Sequence, residues 1–147
     1  MDDINKRILR ELLGDGRISN AELADRVGLS PSACLRRVQE LEAKGIITGY
    51  RAKVNNKLLG ERFIAYVSVG LQSHSKTSQL AFEAAVSGAP EVKECHNVTG
   101  NFEYLLRVET TDIEAFKVFH TDVIGSIPQV NTISTHVVME SSKDTRL

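Results

Sequence analysis

Ser32, Arg36 and Gln39 recur at three- and four-residue intervals in SPSACLRRVQELEAKG, residues 30–45. In a helix that spacing puts them on one side, with Ala33 at its margin and Arg37 on the flank, and Ser32, Arg36, Arg37 and Gln39 are the expected groove contacts. Small side chains near a helix start let backbone come close to a polar surface, and an arginine fork can donate to guanine or to phosphate. Ser30, at the head of the segment, and Lys53, beyond it, are expected nearer phosphate. These residue types suit a helix laid in the major groove of double-stranded DNA.

Such a helix needs a scaffold, and the flanking sequence supplies one. Ser19 and Glu22 form a capping box that opens a helix with Leu23, Ala24 and Val27 on its buried stripe. Gly28 can take the positive φ that ends this helix sharply. Ser30 then caps the next helix, Pro31 fits its first position, and Cys34, Val38 and Leu41 form its inner stripe. An earlier helix with Ile4, Ile8 and Leu12 in line, and Leu9 and Leu13 beside them, would close a three-helix core. Two short helices around a tight glycine turn constitute a helix-turn-helix, expected over residues 1–45.

Charge is distributed to match. Residues 1–60 hold 11 Lys and Arg against 8 Asp and Glu, a net of +3, while residues 61–147 hold 7 against 11, a net of −4. A basic end suits phosphate neutralisation; an acidic half would be repelled by DNA and is expected to sense or assemble. No apolar run is long enough to span a bilayer, and the start MDDINKR is unlike a signal peptide. Cys34 and Cys95 read as small buried hydrophobes in a reducing compartment. His74, His96, His120 and His136 lack metal-site spacing, so no metal and no cofactor is expected. Neither a phosphate-cradling loop, a nucleophile elbow nor a paired-carboxylate motif occurs, which argues against an enzyme.

Residues 46–61 read as a linker with a short β-strand, Asn55-Asn56 as a turn and Gly60 as a break. From residue 62 onward the period changes. Phe63–Leu71 alternates as a strand, and a helix follows that ends near Gly88. Val92–Thr99 and Phe102–Thr110 form a hairpin about Gly100-Asn101. A helix capped by Thr111 carries Ile113, Phe116, Phe119 and Val123, and Val130–Glu140 is the last strand. The order β-α-β-β-α-β predicts an α+β chain whose residues 62–147 form a ferredoxin-like sandwich. Its uncovered sheet face is too apolar for water, so a homodimer through that face is expected.

The runs DDINKRIL, DGRISNAELADRVGLSPSACLRRVQELEAKGIITGY, VKECHNVTGNFEYLLRV and IPQVNTISTHVVME cover nearly the whole chain. Through them the chain resembles the leucine-responsive regulatory protein/AsnC (Lrp/AsnC, feast/famine) family of transcription regulators. The resemblance implies a winged helix-turn-helix and an effector-binding, oligomerising second domain. It also implies dimers that associate further, commonly into octamers, with a small effector, usually an amino acid, lodged between dimers. The implied pocket is built on Thr99, Gly100, Asn101, Phe102 and Glu103 before Tyr104, and on Ser134, Thr135 and His136. There Gly100 lets backbone approach, turn amides suit an α-carboxylate, and Glu103 suits an α-ammonium. Many members carry Asp where this chain has Glu103, and often Asp where it has Asn101; the longer Glu103 would shift the ammonium-binding position or narrow the pocket.

The reading is therefore a cytoplasmic, nucleoid-associated, sequence-selective regulator modulated by an amino acid. One rival is a nucleoid-like architectural protein with little sequence preference and no effector. Another is a metabolite sensor or small enzyme whose helical hairpin only docks; the basic segment 26–57 counts against it.

Overall fold

A computed structural model describes residues 1–52, 54, 58, 60 and 62–143. The chain divides into two compact units, Met1–Lys53 and Val54–Leu147.

The first unit is three helices, α1 (Asp3–Gly14), α2 (Asn20–Val27) and α3 (Pro31–Ala43). Each starts where a short oxygen-bearing side chain takes an otherwise orphaned amide. Asp2 accepts from Asn5 N at 2.7 Å, Ser19 from Glu22 N at 3.2 Å and Ser30 from Ala33 N at 3.3 Å. Gly28, at φ 72°, turns the chain out of α2 as its sequence position suggested. Ile8, Leu23, Ala24, Val27, Cys34 and Leu41 form the core, with Ile4, Leu9, Leu12 and Val38 against it.

Three details of this unit differ from expectation. Leu13 lies outside the core, 88% exposed, because it follows Leu12 around the helix and leaves the buried stripe. The capping box is half made: Glu22 does not reach back to Ser19 but pairs with Arg26 at 2.6 Å, and Arg26 also holds Glu11 at 2.9 Å. A charged partner one turn along outcompetes a neutral backbone amide. The short strand expected within 46–61 is not formed among the described residues. Gly45 sits at φ 67°, and the Ile46 and Ile47 amides fold back onto Leu41 O at 2.9 and 3.2 Å, so neither is left for a ladder. The Asn55-Asn56 turn lies outside the described residues.

The second unit runs β1 (Phe63–Leu71), α4 (Lys76–Ser87), β2 (Val92–Asn97), β3 (Tyr104–Thr110), α5 (Ile113–Val118) and β4 (Val130–Val137). Its antiparallel sheet has the order β2-β3-β1-β4, so the hydrophobic first and third strands are central, the ferredoxin-like arrangement. Ala65, Val67, Val69 and Leu71 of β1 meet Leu106 and Val108 of β3, with Phe82 and Val86 of α4 and Phe116 and Phe119 packed on them. After α5 the chain loosens into a π turn at Phe119–Val123 and one 3-10 turn at Ile124–Ser126.

Here too the boundaries shift. Asp112 rather than Thr111 caps α5, accepting from Ala115 N at 2.7 Å, and Ile113 is exposed. The hairpin strands stop at Asn97 and start at Tyr104, leaving a longer turn than a two-residue Gly-Asn connection. That turn is closed by Val98 N donating to Glu103 O at 2.9 Å. Cys95 is exposed, since β2 is an edge strand that the helices do not fully cover.

The second sheet face is less apolar than its alternation suggested. Tyr66 stands between Arg107 and His136, Ser68 between Leu105 and Ser134, and Glu94 opposite Arg107. Glu109 is nearly buried and accepts from Arg62 at 3.0 Å and from Arg107. Burial alone would raise the Glu109 pKa, but the bonds from Arg62 and Arg107 hold it below the ordinary carboxylate range. Among the described residues the buried Nε of Arg107 meets no hydrogen-bond partner.

Candidate functional site

The outward side of α3 is built from the caps upward. Ser30 fixes the first turn of α3 and lies 3.3 Å from Ser32 Oγ, so two hydroxyls sit together at the helix start. Ser32, Arg36 and Gln39 are exposed and Ala33 half-buried. Arg36 forms no ion pair or side-chain hydrogen bond among the described residues, which leaves its whole donor fork facing outward. Arg37 is differently placed. Its Nη1 donates to Asp2 Oδ2 at 2.6 Å and to Asn5 Oδ1 at 2.9 Å, and its side chain is 26% exposed. The Arg37 guanidinium, with the Asn5 amide, holds the Asp2 carboxyl below its usual range. Lys53 lies outside the described residues.

Asn20 was not singled out from the sequence. Its Nδ2 donates to Pro31 O at 2.8 Å, pinning the first turn of α3 to the first turn of α2. An amide immediately after a cap residue was the available signal.

At one end of the sheet the hairpin turn meets the end of β1. Thr99, Gly100 and Asn101 are exposed, Phe102 and Glu103 half-buried, and Gly100 takes φ 135°. Glu103 N donates to Val69 O at 3.1 Å, which ties the turn to the central strand. The Glu103 carboxylate is already engaged twice. Leu71 N donates to Oε2 at 2.6 Å, and His74 Nδ1 lies 2.6 Å from Oε1. Next to it, a methyl group at Gly70 would fall on Thr132 Oγ1, so glycine there leaves the Thr132 hydroxyl its place against β1. Ser134 and His136 share the sheet face of Thr132, opposite Ser68 and Tyr66; Thr135 alternates to the other face, opposite Val67. The structure thus gathers Glu103, Gly70, Leu71 N, His74 and Thr132, with Ser134 one step along the strand and Thr135 turned away. His74 and Thr132 were missed by sequence reading, although the glycine inside β1 marked a close approach.

Beside the turn, on the helix-covered face, Tyr104 OH donates to Glu83 at 2.6 Å. Burial, reinforced by that bond, pushes its pKa up to about 12, so the phenol is a fixed donor at neutral pH. Among the described residues no cluster of three His, Cys, Asp or Glu could hold a metal, and no helix is long and apolar enough to cross a membrane.

Comparison with known proteins gives two family matches. A winged helix-turn-helix DNA-binding model matches residues 1–48, and an Lrp/AsnC ligand binding domain model matches residues 64–147. The leucine-responsive regulatory protein of Salmonella typhimurium is 42% identical over 143 residues, 97% of this chain and 87% of the relative. Among solved structures, a Neisseria meningitidis transcriptional regulator in complex with L-methionine superposes with a TM-score of 0.91. It is 35% identical, and the match covers 99% of this chain and 94% of the other. A feast or famine regulatory protein from M. tuberculosis, complexed with L-methionine, gives a TM-score of 0.87 at 29% identity, covering 99% and 97% of the two chains.

Proposed function

The chain belongs to the Lrp/AsnC family of transcription regulators, a family of DNA-binding proteins rather than enzymes, and from that premise we propose how its parts divide the work. Residues 1–45 read an operator, 46–61 link, and 62–147 bind an effector and hold copies together. Arg36, Ser32 and Gln39 meet base edges, Ala33 allows close approach, and Ser30 and Lys53 serve phosphate. The observation that carries this reading is the unengaged Arg36 between Ser32 and Gln39 on the exposed side of α3.

The effector is an amino acid, supported by the two relatives whose structures hold L-methionine. Its site is centred on Thr99–Glu103 and on Ser134 and His136, with Thr135 supporting from the opposite face. The turn's amides receive the α-carboxylate. Glu103 receives the α-ammonium once His74 yields its oxygen. The second sheet face, with half-buried Tyr66 and Leu105, pairs with a second copy, and the dimers associate further, up to an octamer. The effector acts by binding one assembly more tightly than another, which changes how the readers are spaced on DNA. Such a regulator works in the cytoplasm, on the nucleoid.

The test is selection of duplexes from a random pool at fixed salt, beside a thermal-shift screen of the standard amino acids with particle size measured for each hit. A preferred duplex bound about a thousandfold more tightly than random DNA is expected. Equal binding to all duplexes, with no thermal shift, would replace this reading with an architectural protein.

A further inference from the structure

We propose that Arg37 is a positioning residue: it ties α3 to the start of α1 through Asp2 and Asn5, and so sets the roll at which Arg36 meets DNA without touching DNA itself. The proposal rests on reading α3 as the DNA-facing helix.

Arg36 and Arg37 are neighbours in sequence but point about 100° apart around α3. Their surroundings differ as sharply as their directions. Arg36 is exposed and unengaged among the described residues; Arg37 is mostly covered and gives Nη1 to two oxygens of α1 and its cap. Those oxygens belong to a closed arrangement. Asp2 uses Oδ1 to cap α1 through Asn5 N at 2.7 Å and Oδ2 to receive Arg37 at 2.6 Å, while Asn5 Oδ1 receives Arg37 at 2.9 Å. A phosphate that captured Arg37 would replace one anion by another and release Asp2 as an unpaired carboxylate beside DNA. Like charge there opposes binding, so the exchange gains nothing.

The tie also supplies what the core does not. Cys34 and Leu41 anchor α3 by apolar contact, which decides which stripe is buried but, being non-directional, does not hold the roll to a few degrees. Asn20 fixes the first turn of α3 through Pro31 O. Arg37, nearly two turns further on, fixes the roll. A roll error moves Arg36 and Gln39 together, since both project from the opposite side of the same cylinder.

The experiment is fluorescence anisotropy of a selected duplex with the full chain across a salt series, beside thermal melting. The variants are Arg36→Ala, Arg37→Ala, Asp2→Asn and the pair Asp2→Asn with Arg37→Ala. Asparagine at position 2 keeps the cap of α1 and removes the charge. Expected for Arg37→Ala is a Kd weaker by about tenfold, with the slope of log K against log salt unchanged. Arg36→Ala should lower that slope by about one per bound subunit if it contacts phosphate, or relax base preference if it reads a base. Asp2→Asn should weaken binding in the same direction as Arg37→Ala, and the pair should be no worse than Arg37→Ala alone. A fall in slope for Arg37→Ala, with tighter binding by Asp2→Asn, would show a direct phosphate contact and overturn the proposal. If instead the parent raises the anisotropy of no duplex at low salt, the DNA-binding reading itself fails. The tie would then be judged by melting, where additive losses from Asp2→Asn and Arg37→Ala would overturn it too.

Discussion

The two units use charge in opposite ways. In Met1–Lys53 the ion pairs lie at the periphery: Arg26 bridges Glu11 and Glu22, Arg37 bridges Asp2, and the apolar core is small. In Val54–Leu147 a charged group is drawn into the sheet, with Glu109 held between Arg62 and Arg107 under cover of neighbouring side chains. Such part-exposed pairs stabilise weakly, though they can still orient a helix, and Arg36 stays outside them. A buried pair is costly to desolvate and costlier to break, so it makes the sheet intolerant of change. The first unit keeps a cation free on its surface, while the second ties its best-covered cation into the sheet.

Four substitutions would break or sharpen that contrast, in falling order of effect. Glu109→Gln should destabilise the second unit by about 3 kcal/mol in urea denaturation, because Arg107 is left buried without its counter-ion. The same pair sets an acid limit. With the folded pKa lowered, its contribution is complete above the ordinary carboxylate range and is lost as pH falls through the lowered value. The Glu109→Gln chain should therefore show a flatter acid-side stability profile, and an unchanged profile would remove the buried pair from the contrast. Cys34→Ser should cost the first unit about 2 kcal/mol by placing a hydroxyl among apolar neighbours, with melting of the second unit unmoved. Coupled loss in both units would mean they do not melt independently.

Arg36→Ala should weaken operator binding by about tenfold, or 1.4 kcal/mol, with melting and particle size preserved. If it unfolded the first unit, Arg36 would belong with Arg37 as a structural tie. The smallest change is expected from His74→Ala. Removing an exposed partner from Glu103 should tighten amino-acid binding by no more than about fivefold in calorimetry, the range of a surface ion pair. Weaker binding would make His74 a ligand contact rather than a competitor.

Legibility followed the range of the interactions. The three helices of the first unit could be placed from caps, the Gly28 turn and the apolar stripe, because each signal acts within one helical turn. The strands and the β-α-β-β-α-β order were equally plain from alternation, and that order itself carries β1 and β3 to the centre, where their apolar content suits them. The candidate DNA face could be listed but not sorted. Arg36 and Arg37 are the same residue type on one short segment, and what separates them is an aspartate 35 residues away from the second. Glu103 could be named as a ligand group, yet its present partners, the Leu71 amide at the end of β1 and His74 in the loop after it, are brought there by strand pairing.

Residue order alone settled the local geometry: where helices begin and end, which stripe is apolar, and that one half is basic and the other acidic. Those properties depend on neighbours within a few positions, where backbone stereochemistry leaves few choices. Only the folded chain decided which charges are spent internally and which remain for a partner. An arginine's freedom depends on the acids that distant segments bring within about 3 Å, and no local pattern encodes that distance.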